Sequence, residues 1–194
     1  MPAKKPAPKP KRAAPKAKRP APKVSPRRPG GPSATLEVDW PFFGEICRAL
    51  ALKVAREFDP EVVLGVAKAG VIPGVVVASI LQREFTSMVV TRRDEGEEPV
   101  LIAGPPSTIR GRRVLIVDET CDTGSTMKLA LSEVRALKPA TVKTAVSFKT
   151  GPYQPDYYAF ESENFIILPW DREIIQGGEL VVRPEYVGKL REAR

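Results

Sequence analysis

Histidine is absent from the 194-residue chain, cysteine occurs twice, and aromatic residues make up only 7% of it. Without histidine the Ser-His-Asp and Cys-His catalytic devices are impossible, as are metal sites built on imidazole. Cys47 and Cys121 form neither a Cys-x-x-Cys pair nor a disulfide framework, which fits a reducing cytosol. Cys47 reads as a small buried hydrophobe, whereas the polar neighbours of Cys121 leave its role open. The most apolar stretch, Val71–Leu81, falls well short of the roughly 20 residues that cross a bilayer, so no membrane span is expected. The N-terminus carries no apolar leader either, so no secretory signal is expected and the cytoplasm is the expected location.

Acidic residues are missing from the first 33 positions, which hold 11 Lys and Arg and 10 of the 21 prolines. The remaining 161 residues carry 20 basic and 23 acidic side chains, a net charge of −3, so the overall +8 belongs to the opening segment alone. Lys/Ala/Pro repetition with almost nothing apolar to bury predicts a disordered basic tail over residues 1–33. Its cations suit nucleic acid or another anionic surface by counterion release, and a merely solubilising tail is the equally weighted alternative. Residues 34–194 read as one domain, long enough to bury a sizeable core.

Asp39 followed by Trp40–Pro41 marks a helix start. Ile46, Leu50, Val54 and Phe58 recur at a spacing of four and give that helix one apolar face. Val62–Ala67 is a uniformly apolar run of the kind buried on both sides of a sheet. A helix over 72–82 follows, with Pro73 in its first turn, then a strand over 87–91. Polar residues 92–111 read mostly as a long loop. Further strands are expected over 114–117, 141–148 and 165–168, with a helix over 125–137. Strands alternating with helices predict an α/β fold with a parallel sheet and right-handed crossovers.

Ligands bind such sheets at the carboxyl ends of the strands. One junction there, Val114-Leu-Ile-Val-Asp-Glu-Thr-Cys-Asp-Thr-Gly-Ser-Thr126, runs from an apolar strand into two adjacent acids, a third acid and a glycine turn. Gly124 permits the tight turn, and small residues leave the backbone N–H groups of a helix start bare for phosphate. Thr123, Ser125 and Thr126 add hydroxyl donors. Carboxyls beside a phosphate cup suit a sugar phosphate, whose hydroxyls and Mg²⁺ they grip. A capped strand-to-helix turn accounts for the TGST segment, but not for Asp118 and Glu119 together.

This stretch resembles the phosphoribosyl-diphosphate (PRPP) signature of the type I phosphoribosyltransferases: an apolar strand, two acids, two variable residues, then Asp-Thr-Gly-x-Thr. The resemblance implies that family's parallel-sheet fold, with a small purine-binding hood. It also implies a site in which Asp118 and Glu119 hold the ribose hydroxyls and Mg²⁺, and Asp122 to Thr126 hold the 5′-phosphate. Lys68-Ala69-Gly70, after the first buried strand, matches the pyrophosphate loop, with Ala69 standing where relatives carry a glycine. Arg92 opens the following loop and is a further pyrophosphate candidate.

The segment after residue 148 resembles the hypoxanthine/xanthine/guanine branch. By position Lys149 reaches the 6-oxo group, Phe165 stacks on the base, and the Ile166 carbonyl and Asp171 read its far edge, with Asp171 also a metal candidate. A lysine donating at that place argues against adenine, whose exocyclic amine is itself a donor. The implied reaction joins a 6-oxopurine to PRPP, giving the nucleoside 5′-monophosphate and pyrophosphate. Its transition state is oxocarbenium-like, with Asp122 as general acid/base. A homo-oligomer, dimer or tetramer, is expected as well. A transferase for another base and a non-catalytic nucleotide sensor with a nucleic-acid-binding tail are the rival readings. The choice among hypoxanthine, guanine and xanthine stays open, and residues 172–194 have no assigned role.

Overall fold

A computed structural model describes residues 34–91 and 98–192. The basic segment 1–33 and Arg92 therefore lie outside the described residues. Asp39 accepts a hydrogen bond from the Phe42 amide at 2.8 Å and caps helix α1 (Trp40–Glu57), with Pro41 in the first turn. The spacing-of-four face is the buried one: Ile46, Leu50 and Val54 point inward with Phe43, Cys47 and Ala51. The chain leaves the helix at Phe58, in extended conformation, two residues before Pro60.

Strand β2 (Val62–Ala67) follows, then α2 (Val71–Leu81), β3 (Glu84–Thr91), β4 (Val100–Ala103), β5 (Arg113–Cys121), α3 (Ser125–Ala136), β6 (Thr141–Lys149) and β7 (Tyr157–Glu161). These strands form a six-stranded sheet in the order β4-β3-β2-β5-β6-β7. It is parallel except for β4, which runs antiparallel to β3. The central strands β2 and β5 are buried on both faces, as their unbroken apolar runs require. One core layer joins Leu64, Met88, Ile116 and Val146 to the α3 residues Met127, Ala130 and Val134; the other joins Val63, Leu115 and Val117 to Leu50, Val54 and Val77.

Outside this sheet, β1 (Thr35–Glu37) pairs in parallel with β8 (Phe165–Ile167), Thr35 opposite Phe165. A hairpin of β9 (Glu173–Gln176) and β10 (Glu179–Val182) turns at Gly177–Gly178, both with positive φ, and helix α4 (Pro184–Glu192) follows.

Two expectations need correction. Within the described part of 92–111, residues 98–111, the chain is not loop throughout, because Val100–Ala103 adds an edge strand and Ser107–Ile109 forms a 3₁₀ turn that buries Ile109. The strand expected over 114–117 continues to Cys121, so Asp118 and Glu119 lie on the strand itself.

Candidate active site

At the carboxyl edge of the sheet, β2 and β5 end side by side. A cavity of about 300 Å³ opens there, lined by Lys68 and Ala69 from the turn after β2, by Val90 and Thr91 of β3, and by Asp118, Glu119, Thr120, Asp122 and Thr126 from β5 and the loop after it. Charged and hydroxyl groups thus converge from the turn after β2, the end of β3, and β5 with the loop that follows it. The Ala67–Lys68 peptide is cis, and the amides of Val71 and Ile72 donate to the carbonyls of Lys68 and Ala69, which folds the turn directly into α2.

Asp118 is buried, and its Oδ1 accepts from the Glu119 amide at 3.0 Å. Gly70 lies hard against it: a Cβ at position 70 would stand 2.6 Å from Asp118 Oδ1 and 2.6 Å from the Val66 carbonyl. A glycine there lets the turn after β2 pack against the end of β5. The donor set of Asp118 and Glu119 is all oxygen and half-buried or deeper, which fits a hard divalent cation such as Mg²⁺. Among the described residues no group of three or more ligating side chains converges, so Asp171 does not join Asp118 and Glu119 in one cluster.

Gly124 adopts φ +76°, the left-handed region that a side chain disfavours, and α3 starts at the next residue. Thr123 Oγ1 and Ser125 Oγ lie 2.9 Å apart, and Lys128 donates to the Thr123 carbonyl at 3.4 Å, so the loop is preformed around its helix N-terminus. The segment after β6 clamps this loop from outside: Thr150 N–H donates to the Cys121 carbonyl at 2.9 Å and Tyr153 N–H to that of Asp122 at 3.2 Å. Gly151 packs against the Asp122 carboxyl so closely that a side chain there would collide with it. The contact of Gly151 and Tyr153 with this loop has no local motif in the sequence, because it spans some thirty residues.

The residues expected at the base are disposed differently. Lys149, at the end of β6 and opposite Cys121 in register, is buried and ion-paired with Glu161 of β7. That lysine holds the Glu161 carboxyl below its ordinary range. Phe165 and Ile166 sit on β8, Ile166 packing into the core beside Leu36, Phe43 and Phe148. Asp171 follows β8 and is engaged by Arg183 and Tyr186 of the C-terminal segment. None of Lys149, Phe165, Ile166 and Asp171 lines the 300 Å³ cavity. The two cysteines are buried, and burial pushes the Cys47 thiol up to about 12, as befits a packing residue.

A parallel sheet whose central strands end in a lysine–glycine turn and in a carboxylate-rich loop opening a helix is the layout of the type I phosphoribosyltransferases. The chain belongs to the Phosphoribosyl transferase domain family, which matches residues 38–179. Human phosphoribosyltransferase domain-containing protein 1 is 32% identical over 92 residues, 44% of this chain and 41% of that protein. Human hypoxanthine-guanine phosphoribosyltransferase is 38% identical over 78 residues, 37% of this chain and 36% of that protein. The chain thus matches less than half the length of these curated relatives. A crystal structure of a purine phosphoribosyltransferase from Pyrococcus horikoshii is similar with a TM-score of 0.66 at 32% identity, covering 75% of this chain and 99% of that one. Among the described residues no helix is long and apolar enough to cross a membrane.

Proposed function

We propose that residues 34–194 form a purine phosphoribosyltransferase that joins a 6-oxopurine to PRPP. The observation that carries this reading is the convergence of Lys68, Asp118, Glu119, Asp122 and Thr126 on one cavity at the carboxyl edge of the sheet. Names of the relatives and of the Pyrococcus structure support the purine branch.

In this mechanism the Asp122–Thr126 loop grips the 5′-phosphate through backbone amides and hydroxyls. Asp118 and Glu119 hold the ribose hydroxyls and Mg²⁺, and the ion, when bound, offsets the charge of the diphosphate. Lys68, with the amides of Ala69 and Gly70, takes the pyrophosphate, and Arg92 is a further contact for it. The bond from ribose C1 to the pyrophosphate oxygen breaks with its electron pair on oxygen. The purine nitrogen bonds to C1, and its imidazole proton passes to Asp122. Fixed charges around the oxocarbenium-like state, rather than covalent attack by the protein, lower the barrier. Lys149 donates to the 6-oxo group once it exchanges Glu161 for the base, with Phe165 stacking on the ring and Ile166 and Asp171 at its far edge. Assembly as a homo-oligomer and a cytoplasmic location belong to the same reading.

A single-turnover panel tests it: protein, Mg²⁺, PRPP and each of hypoxanthine, guanine, xanthine, adenine, uracil and orotate, followed by nucleotide and pyrophosphate. Product from one or more 6-oxopurines is expected. Product from adenine or a pyrimidine alone would overturn the base assignment.

A further inference from the structure

Residues 150–156, between β6 and β7, lie against the Asp122–Thr126 loop and are held at both ends. Thr150 N–H donates to the Cys121 carbonyl at 2.9 Å, and the Asp156 amide donates to Thr144 Oγ1 at 3.0 Å. Pro152 and Pro155 fix their own φ angles and bias Gly151 and Gln154 toward extended backbone, which stiffens the stretch between these anchors. Its two inward contacts fall on different parts of the loop. A Cβ at Gly151 would collide first with Asp122 Oδ1, and would stand 2.8 Å from the Asp122 carbonyl oxygen. A Cβ at Gly124 would collide with Tyr153 at ring carbons Cγ and Cδ2, so that ring packs on the glycine turn. Tyr153 is itself partly buried against the core that holds Cys121 and Met127. Lys128 Nζ sits 5.7 Å from the Tyr153 ring centroid while donating to the Thr123 carbonyl, which ties ring and loop together.

The two contacts meet two separate tasks of the loop. A carboxylate that takes a proton in the reaction is effective only where it reaches that proton, so the direction of the Asp122 carboxyl matters to the chemical step. The Gly124 turn sets the amides at the start of α3, the groups that suit a phosphate. Gly151 leaves room for the Asp122 carboxyl to lie against the backbone, and any side chain there would force it to turn. Tyr153 touches the Gly124 turn with Cβ and ring carbons, not with its hydroxyl. We propose that Gly151 and Tyr153 are positioning residues with divided effects: Gly151 aims the Asp122 carboxyl and governs the chemical step, whereas Tyr153 holds the Gly124 turn and governs PRPP affinity. This rests on the purine transferase reading above and gives the segment after β6 a part in both of its steps.

Single-turnover rate at saturating PRPP, Mg²⁺ and 6-oxopurine, measured beside calorimetric PRPP affinity on the full chain, separates the two effects. Rates are counted per PRPP-binding site, so unfolded protein cancels. Gly151→Ala is expected to slow turnover by roughly 10- to 100-fold, the cost of a misplaced catalytic group, with PRPP affinity kept within about threefold. Tyr153→Leu is expected to do the reverse, weakening PRPP by roughly tenfold while the rate at saturation stays within about threefold. Tyr153→Phe keeps the ring and is expected to restore the affinity. In an Asp122→Asn background Gly151→Ala is expected to cost no further rate, because it acts through the carboxyl already removed. Rate and affinity falling together in both variants, or neither changing, overturns the proposal while leaving the transferase reading intact. So does a Gly151→Ala loss as large with Asn at position 122 as with Asp. The Gly151 and Tyr153 arms are read independently, so a variant that does not fold leaves the other arm to decide. Absence of wild-type turnover with every purine overturns the transferase reading, and this proposal with it.

Discussion

Asp122 carries the heaviest chemical assignment in the site, and its surroundings are built to hold it. Its carbonyl accepts from Tyr153, its carboxyl is flanked by Gly151, and the residue is one of those lining the cavity with Asp118 and Glu119. Asp122→Asn keeps the size and hydrogen-bonding outline but removes the proton acceptor. It is expected to lower single-turnover nucleotide formation by roughly 10² to 10⁴, the usual worth of a positioned acid/base, while nucleotide binding changes little. Equal turnover in wild type and variant would take Asp122 out of that role. Most of this site was legible in the sequence, because the motif is local: thirteen consecutive residues bring strand, acids and turn together. Its clamp was not legible, since Gly151 and Tyr153 reach the loop only once β6 lies beside β5.

Among the secondary-structure elements, legibility followed the strength of the local signal. Helix α1 announced itself through Asp39, Pro41 and a regular apolar face, and β2 through an unbroken apolar run. Strand β4 is four residues long, sits at the sheet edge and is flanked by polar chain, so nothing in its composition separated it from a loop. The β9–β10 hairpin did carry a signal, Gly177–Gly178 between two β-branched runs, which the strand reading passed over. Strand β7 depends on a junction at Asp156, which accepts from Lys143 Nζ at 2.7 Å, the Thr144 amide at 2.8 Å and the Thr144 hydroxyl at 2.9 Å. Partial burial raises the Asp156 pKa, and the hydrogen bonds from Lys143 and Thr144 outweigh it, leaving the carboxyl below its ordinary range. A lowered folded-state pKa means the stabilisation is present above the unfolded carboxyl pKa of about 4 and disappears as pH falls through the folded value. Asp156→Ala is therefore expected to lower stability in urea unfolding by about 2 kcal/mol at neutral pH, with the gap to wild type closing in acid. A gap that stays constant down to the acid transition would remove Asp156 from this role.

Considered as a whole, the molecule joins a net −3 domain to a segment of 11 positive charges, and the two make separable claims. The site residues all come from the part after residue 33. Removal of residues 1–33 is expected to leave turnover with PRPP and purine unchanged, and to abolish any binding to nucleic acid that weakens with added salt. Loss of turnover on truncation would show that the basic segment takes part in the reaction. The central claim is that the cavity between the ends of β2 and β5 receives PRPP, and calorimetric titration of PRPP with Mg²⁺ tests it most directly, on wild type and on Gly70→Ala. A Cβ at position 70 would meet Asp118 Oδ1 and the Val66 carbonyl at 2.6 Å, so the turn after β2 must move away from β5. Wild type is expected to bind PRPP and a folded Gly70→Ala protein to bind it at least tenfold more weakly, about 1.4 kcal/mol. Equal affinity in the two folded proteins, or no binding by wild type, would contradict the account.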